Sequence, residues 1–188
     1  YYAYLDRAPI IVVGGCGAMS VPLRRRIDWI HNANLQGNAI RDYVKWDDQP
    51  FSIESIPESF AREYRVAVTE PQGPVYVCFE MTFQEQKLQQ EIPLPRKDRL
   101  GISPPIQGDL PTIRRAAEML AKADNPVIVA DYLGRHSESF HNLIKLAEAT
   151  GAAVVDLNSR LNFPSTHPLC LTGSDILREA DLILSLDV

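Results

Sequence analysis

Three short runs of mostly apolar residues in the second half of the chain alternate with amphipathic segments. The runs are 127–130, 153–157 and the stretch that begins at Leu182. The first is continuously apolar, which is typical of a strand covered on both faces of a parallel sheet, and the other two also predict strands. Helices that alternate with such strands predict a doubly wound α/β arrangement, because each helix returns the chain to the same edge of the sheet.

The segments between these runs carry apolar residues at three- and four-residue steps, which predicts amphipathic helices. The first segment begins after Asp109, a favourable N-cap, and ends at Asn125-Pro126, while the second ends at Gly151. A short helix over 174–180 is predicted before the last strand. The predicted buried faces consist of Ile113, Ala116, Ala117, Leu120 and Ala121 in the first helix, and of Phe140, Leu143, Ile144 and Ala147 in the second.

The first half of the chain shows the same kinds of segment less regularly. Apolar runs at 10–13 and 75–79 predict strands, the first of them bounded by Pro9 and by Gly14-Gly15. Between them, residues 56–69 predict a helix with Ser55 as its N-cap. The stretch 27–44 shows no clear period and receives no assignment. The predicted buried face of the helix consists of Ile56, Phe60, Tyr64, Ala67 and Val68.

A change in composition between residues 83 and 108 separates the two halves. The segment 84–91 holds four glutamines, and four prolines follow between residues 93 and 105. Because proline fixes the backbone and lacks an N–H donor, we predict an inter-domain linker at 83–108. Residues 1–82 and 109–188 are then two α/β units, each with a doubly wound, Rossmann-like parallel sheet. Both units are expected to be truncated, because the chain opens inside a helical turn and closes on an apolar strand.

The charge balance disfavours a nucleic-acid partner. The 188 residues include 19 Lys and Arg against 24 Asp and Glu, a net charge of −5, whereas sequence-independent nucleic-acid binding needs a concentrated basic face. The basic run at 24–26 is interpreted as a solvated loop edge rather than a phosphate site. The three cysteines form no CxxC pair, and no apolar run approaches the length of a membrane span. We therefore expect a cytoplasmic protein with no membrane partner.

A glycine-rich motif, Gly-Cys-Gly-Ala-Met-Ser at 15–20, follows the first predicted strand. Its spacing is similar to the GxGxxG turn of dinucleotide-binding domains, whose glycines let the backbone approach a pyrophosphate. A serine replaces the third glycine, and Pro22 with three arginines stands where an apolar helix should begin. No acidic residue ends a second strand about twenty residues further on. A plain tight turn is therefore the favoured interpretation.

Other catalytic patterns are weak in this sequence. The four histidines show no metal-ligand spacing, no GxSxG elbow is present, and Asp47-Asp48 is interpreted as a solvated turn. The segment 29–37 differs from the rest, because it combines amides, an imidazole and an indole without a helical or strand period. Buried unpaired amides cost about 1–3 kcal/mol each. This segment is therefore predicted either to line an interface or polar pocket, or to be an ordinary surface loop.

Seven short motifs follow one another in a fixed order along nearly the whole chain. In the first half they are Ala-Pro-Ile-Ile-Val-Val-Gly at 8–14, Leu-Gln-Gly at 35–37, Val-Lys-Trp at 44–46 and Gly-Pro-Val-Tyr-Val at 73–77. In the second they are Asn-Pro-Val-Ile-Val at 125–129, Phe-Pro-Ser-Thr-His-Pro-Leu at 163–169 and Ala-Asp-Leu-Ile-Leu at 180–184. The series resembles thiamine-diphosphate enzymes of the acetolactate synthase type. The first four motifs are similar to the end of their pyrimidine-binding domain, and the last three to the start of their central domain.

The resemblance implies cleavage or formation of a carbon–carbon bond next to a carbonyl group of a small 2-oxo acid. It implies thiamine diphosphate and Mg²⁺ as cofactors and a homodimer or homotetramer as the assembly. The family's activating glutamate would precede Tyr1, and its GDG…N metal motif would follow Val188. No catalytic residue and no metal ligand is therefore expected within this chain, and the chain alone is expected to be inactive.

The resemblance also assigns a few residues near the active site. Gln36 matches the glutamine of the family's Phe-Gln-Glu loop, which faces the active site across the dimer interface. Leu35 and Gly37 stand in place of its Phe and Glu, and His31 lies in the same loop. Lys45 matches the lysine of the family's Thr-Lys segment. The predicted active-site loop residues are therefore Gln36, Leu35, His31 and Lys45.

Some members of the family bind FAD on the central domain, through a glycine-rich turn after its first strand. The corresponding residues here, 130–135, contain a single glycine together with Asp131 and Tyr132. A carboxylate and a phenol ring oppose close approach of a pyrophosphate, which disfavours FAD. Two alternatives stay open, namely a Rossmann-type protein that binds FAD or NAD directly and a non-catalytic paralogue.

Overall fold

The chain folds into two units, Tyr1–Ile106 and Gln107–Val188. The computed structural model describes residues 1–30, 32–33 and 35–188. Each unit contains a three-stranded, fully parallel sheet with helices between its strands. The predicted α/β fold class is therefore confirmed.

The first unit consists of helices α1 (Tyr2–Leu5), α2 (Ile56–Val68) and α3 (Met81–Glu85) and strands β1 (Ile11–Cys16), β2 (Trp46–Asp48) and β3 (Val75–Glu80). The strand order is β1–β3–β2. Val75 of the central strand is paired with Ile11 on one side and with Trp46 on the other. All residues of β3 except Phe79 are buried, as expected for a strand with neighbours on both sides.

Strand β1 is longer than the predicted run 10–13, because it continues through Gly14 and Gly15 to Cys16. Gly14 is required there, since a Cβ atom at this position would overlap the ring of Tyr76 on the neighbouring strand. The unassigned stretch 27–44 consists mainly of short 3-10 turns. Strand β2 was not predicted, because it has only three residues and two of them are aspartates.

The buried face of α2 differs from the predicted one. The buried residues are Ser59, Glu63 and Ala67, whereas Phe60 and Tyr64 are exposed. The true face is rotated by one residue, so a polar stripe at four-residue steps meets the sheet. Ser55 is the N-cap residue, as predicted, but its hydroxyl donates to the carbonyl of Ser52 and makes no capping hydrogen bond to the helix.

The second unit consists of α4 (Leu110–Lys122), β4 (Pro126–Ala130), α5 (Ser137–Thr150), β5 (Ala153–Asp156) and β6 (Leu182–Leu186). The strand order is β5–β4–β6, so the chain crosses over β4 between its last two strands. This reversal of direction is the mark of a doubly wound sheet. The core beneath it consists of Ile128, Ala130, Leu143, Ala147, Ala152, Val154 and Phe163.

The ends of the helices in this unit follow the sequence closely. Asp109 accepts a hydrogen bond from the backbone N–H of Thr112 at 2.9 Å, as predicted for an N-cap. Gly151 ends α5 in the left-handed conformation, with φ of 67°.

Two other predictions for this unit are wrong. The helix predicted at 174–180 is only a 3-10 turn at Ile176–Arg178. On the predicted buried face of α4 only Leu120 is buried, and Ile113 is 51% exposed. In the described part of the chain, none of the helices combines the length and apolar character needed to cross a membrane.

Candidate functional site

Gln36 lies against the carboxyl end of β1. Its side-chain Nε2 donates to the carbonyl of Gly15 at 2.7 Å. Its Oε1 accepts a hydrogen bond from the hydroxyl of Tyr76 at 2.8 Å. Burial and the neighbouring Cys78 raise the pKa of Tyr76 to about 12, so the phenol keeps the proton that it donates. We call Gln36, Gly15 and Tyr76 the Gln36 clamp. One N–H of the amide takes no part in these two bonds and is available to another group.

The other predicted loop residues are not all brought to this clamp. Leu35, directly before Gln36, is 63% exposed. The ammonium of Lys45 donates to the carbonyls of Val66 and Thr69 at the end of α2, the latter at 2.6 Å. Burial lowers the pKa of Lys45, and Glu70 opposes that shift. His31 lies outside the described residues.

A cavity of about 200 Å³ lies beside the carboxyl end of β1. Arg24 holds one of its walls, because its guanidinium donates to the carbonyls of Ala18 and Met19 at 3.0 and 3.2 Å and lies over the ring of Trp29. The backbone N–H of Met19 donates to the buried carboxylate of Glu80 at 2.6 Å. The cavity is lined by Cys16, Gly17, Ala18, Met19, Arg24, Asp28, Trp29, Asn32 and Ala33.

The first two residues of the glycine-rich motif, Gly15 and Cys16, end strand β1, and Gly17, Ala18 and Met19 follow along the wall of this cavity. A Cβ atom at Gly17 would overlap the side chains of Asn32 and Asp28, so the glycine is required for packing. The N–H of Met19 and two of the N–H donors of Arg24 already have protein acceptors. Burial and the nearby Cys78 raise the pKa of Cys16 to about 12, which keeps this thiol neutral and a poor nucleophile.

A buried carboxyl group lies on the other side of the same sheet region, under α2. Glu63 has no exposed surface, and neither carboxyl oxygen has a hydrogen-bond partner among the described residues. Burial, together with the charges of Asp48 and Asp47, raises the pKa of Glu63 to about 8, although Arg62 opposes the shift. The hydroxyl of Ser59, one turn earlier, donates to Asp48. Sequence reasoning missed Glu63, and the spacing Ser59–Glu63–Ala67 was the signal available for it.

In the second unit, a polar cluster fills the edge where β4 and β5 end. Asp131 is buried and accepts hydrogen bonds from Arg160 Nε at 2.9 Å and from Asn158 Nδ2 at 3.2 Å. The Arg160 guanidinium also lies 4.4 Å from the centre of the Tyr132 ring. In doubly wound sheets this edge is where dinucleotides bind.

The residues of this edge do not fit a dinucleotide pyrophosphate. The N–H of Gly134, the glycine of the turn after β4, donates to the buried Asn162 at 2.8 Å. A Cβ atom at Gly134 would overlap the carbonyl of Leu161. The glycine is therefore needed for close packing of this turn against Leu161 and not for approach of a ligand. The carboxylate of Asp131 stands where a pyrophosphate would require donors. We derive no role for FAD from these residues.

Potential metal ligands are also scattered. Across residues 1–30, 32–33 and 35–188, no three side chains of His, Cys, Asp or Glu lie together as a metal site would require. Cys16, Cys78 and Cys170 are free thiols.

Comparison with known proteins relates both units to one kind of enzyme. Residues 113–186 match the family described as thiamine pyrophosphate enzyme, central domain. A protein of Methanocaldococcus jannaschii named "Probable acetolactate synthase large subunit" is 30% identical over 176 residues, which is 90% of this chain and 28% of that protein. The protein of the same name from Methanococcus aeolicus is 29% identical over 155 residues, 76% of this chain and 26% of that protein.

A solved structure shares the fold. Benzoylformate decarboxylase from Polynucleobacter necessarius superposes with a TM-score of 0.79 over 98% of this chain and 35% of its own, at 24% identity. At that identity the likeness concerns the fold alone. The chain thus spans less than a third of the curated relatives it matches, 28% and 26% of their lengths.

Proposed function

We propose that this chain belongs to the thiamine pyrophosphate enzyme family and forms part of an enzyme acting on a small 2-oxo acid. The proposed reaction is cleavage or formation of a carbon–carbon bond next to a carbonyl, by a lyase of the decarboxylase kind or a transferase of the acetolactate synthase kind. The observation that carries the proposal is the 30% identity over 176 residues, because a match of that length extends through both units.

In this proposal the two units have different roles. Residues 1–82 are the later part of a pyrimidine-binding domain, residues 83–108 are a linker, and residues 109–188 are the earlier part of a central domain. The match of residues 113–186 supports the last assignment. The parallel strands β1 and β3, with Gln36 bonded to Gly15 of one and Tyr76 of the other, support the first.

Thiamine diphosphate and Mg²⁺ are proposed as cofactors of the whole enzyme. When bound to the whole enzyme, thiamine diphosphate would supply an electron sink for cleavage or formation of the bond next to the keto group. The described residues of this chain do not fit the diphosphate–metal group, since their carboxylates and imidazoles are not gathered into a ligand set. We therefore assign no cofactor or metal ligand here and derive no step through either group.

The residues proposed to reach the active site are those of the predicted loop. Gln36 is oriented by two hydrogen bonds, and its remaining amide N–H can donate to a substrate oxygen. Leu35 offers an exposed apolar side chain beside it. His31 and Lys45 complete the proposed set, although the ammonium of Lys45 is bonded to the end of α2.

A homodimer or homotetramer is part of the proposal, because the segment between β1 and α2 exposes many large apolar side chains. Exposed apolar patches of this kind mark interaction surfaces. The exposed residues are Met19, Val21, Leu23, Ile27, Trp29, Ile30, Leu35, Tyr43, Trp46 and Phe51. A cytoplasmic location is also proposed, on the ground that the three cysteines are free thiols. Neither nucleic acid nor membrane is proposed as a partner, given the net charge of −5.

The test is an assay of the protein expressed from its complete gene. Carbon dioxide release from pyruvate and from benzoylformate is measured with and without added thiamine diphosphate and Mg²⁺. Cofactor-dependent release from either acid, or condensation of two pyruvate molecules, is the expected result. The variant Gln36→Ala should lower kcat/KM. The control variant Arg115→Ala, on the surface of α4, should leave kcat/KM unchanged. A protein that fails to bind thiamine diphosphate would contradict the proposal and leave the non-catalytic alternative.

A further inference from the structure

A cavity of about 420 Å³ lies in the first unit, between α2 and the proline-containing segment 93–100. Four arginines line it, Arg62 and Arg65 from α2 and Arg96 and Arg99 from the segment. We call these four residues and the cavity between them the arginine groove. It shares no lining residue with the cavity beside the Gln36 clamp. Nothing in the proposed function uses it.

Two of the four arginines are paired within the protein. Arg62 forms an ion pair with Glu58 at 2.5 Å, and Arg96 donates from Nε to Asp98 at 3.0 Å. Arg65 and Arg99 are different, because their guanidinium groups make no hydrogen bond or ion pair with any residue that the structure describes. Each guanidinium carries five N–H donors, so the groove presents donors that lack acceptors.

The charge of the groove is opposite to that of the chain as a whole. Its lining contains four arginines against the carboxylates of Glu54 and Glu58, whereas the chain has a net charge of −5. Hydrogen bonds from its own backbone and from Ser52 lower the pKa of Glu54, so that carboxylate is ionised and already solvated by the protein. Even with both glutamates ionised, the four arginines leave the lining with an excess of positive charge at neutral pH.

The cavity also has an apolar side and a useful size. Pro93, Leu94, Pro95 and Leu100 form the part of the wall that carries no charge. A volume of about 420 Å³ falls in the range of about 300–1,000 Å³ that small-molecule sites occupy. Arg62 and Arg65 also border a second cavity of about 340 Å³ that reaches Ser103. Arg65 therefore stands where the two spaces meet.

We propose that the arginine groove binds a small organic phosphate, a phosphate monoester attached to an apolar body. The phosphate accepts hydrogen bonds from Arg65 and Arg99, and the body lies against Pro93, Leu94 and Leu100. A phosphate monoester fits better than a carboxylate, because its three acceptor oxygens and near-double charge can satisfy two guanidinium groups. A carboxylate has two oxygens and is fully engaged by one arginine.

The test is calorimetric titration of the protein with phenyl phosphate, which combines the two proposed features. Inorganic phosphate tests the phosphate group without an apolar body. Benzyl alcohol tests an uncharged apolar body without a phosphate group. Phenyl phosphate should bind saturably with a Kd below about 1 mM, at least about tenfold more tightly than inorganic phosphate. Absence of saturation, or equal affinity for phenyl phosphate and inorganic phosphate, would overturn the proposal, since the second result indicates general charge attraction only.

The variants Arg65→Ala and Arg99→Ala locate the site. Each should weaken phenyl phosphate binding about tenfold, and the double variant should abolish it. The control is Arg115→Ala, which removes an exposed arginine of α4 in the second unit. Arg65 and Arg99 are exposed, so their substitution should leave the unfolding midpoint unchanged. A loss of affinity can then be attributed to the lost guanidinium group. Unchanged affinity in both variants, or an equal loss in Arg115→Ala, would exclude the groove as the binding site.

Discussion

At the scale of single residues, the protonation of Glu63 couples the folding of the first unit to pH. Its pKa is about 8 in the folded chain, against an ordinary value of 4.5. Between these values the folded state holds a proton that the unfolded state has released. The stability contributed by this group is therefore fully present below about pH 4.5 and is lost as pH rises through about 8.

The substitution Glu63→Gln should remove most of this pH dependence. The free energy of unfolding of the parent protein should fall between about pH 6 and pH 9 by an amount on the order of a few kcal/mol. The variant should give a nearly flat profile, because its amide does not ionise. Denaturant unfolding followed by tryptophan fluorescence is suitable, since both tryptophans, Trp29 and Trp46, lie in the first unit.

The control for this experiment is Glu91→Gln, which changes an exposed glutamate of the same unit. It should keep the slope of the parent protein. An identical slope in Glu63→Gln and the parent would show that Glu63 does not hold the proton.

The Gln36 clamp makes a second prediction at this scale. Tyr76→Phe removes one hydrogen bond to Gln36, and Gln36→Ala removes both of its hydrogen bonds. We expect losses of stability of about 1 kcal/mol and about 1–3 kcal/mol, respectively. In the double variant the losses should be less than additive by roughly 1 kcal/mol, because the two residues share one bond. Strict additivity in tryptophan-monitored unfolding would mean that the bond contributes nothing.

At the scale of elements, α5 ends at Gly151, where a glycine is favoured by the backbone conformation and not by side-chain crowding. A Cβ atom at Gly151 would meet no other atom, yet the residue has φ of +67°. Gly151→Ala should therefore cost about 1 kcal/mol through conformational strain alone. Gly101→Ala is the matched control, because that site is equally open and its φ lies outside the left-handed range. Gly151→Ala should lower Tm, and Gly101→Ala should leave it unchanged. Thermal unfolding followed by circular dichroism measures both.

Helix α2 shows where patterns of apolar residues mislead. Phe60 and Tyr64 have the right spacing for a buried face, but they are 36% and 48% exposed, and the Phe60 ring meets the sheet at Phe79. Ser59 and Glu63 are buried instead. The reason is that β2 presents Asp48 at this position, and the Ser59 hydroxyl donates to it. The strand thus supplies a partner for Ser59, whereas Glu63 is buried without one among the described residues, and neither fact can be read from the helix itself.

At the scale of the whole molecule, we predict that the 188-residue chain has no tight site for a redox nucleotide. Titration with FAD, NAD and NADP should give no stoichiometric binding, because Arg160, Asp131 and Asn162 fill the edge where a pyrophosphate would lie. Calorimetry provides the measurement. Tight one-to-one binding of any of the three would instead favour the Rossmann-type alternative.

A second prediction at this scale concerns activity. Supplied with thiamine diphosphate and Mg²⁺, the 188-residue chain should turn over neither pyruvate nor benzoylformate, because its described residues provide no grouped ligands for the metal. Carbon dioxide release is the measurement, with the protein from the complete gene as positive control. Turnover by the chain itself would show that it holds the cofactor after all.

The local features of this protein were readable from its sequence, because their causes are local. Continuous apolar runs marked β4, β5 and β6, and Asp109 and Gly151 marked the ends of helices, since capping depends on a few neighbouring residues. The alternation of helix and strand determined the α/β class, and the ordered motifs indicated the enzyme family. What only the tertiary structure decided were the contacts between distant segments. The pairing of Gln36 with Tyr76, the burial of Glu63 beside Asp48 and the arginine groove all join residues from separate elements, and no local pattern specifies which side chains a packed sheet brings together.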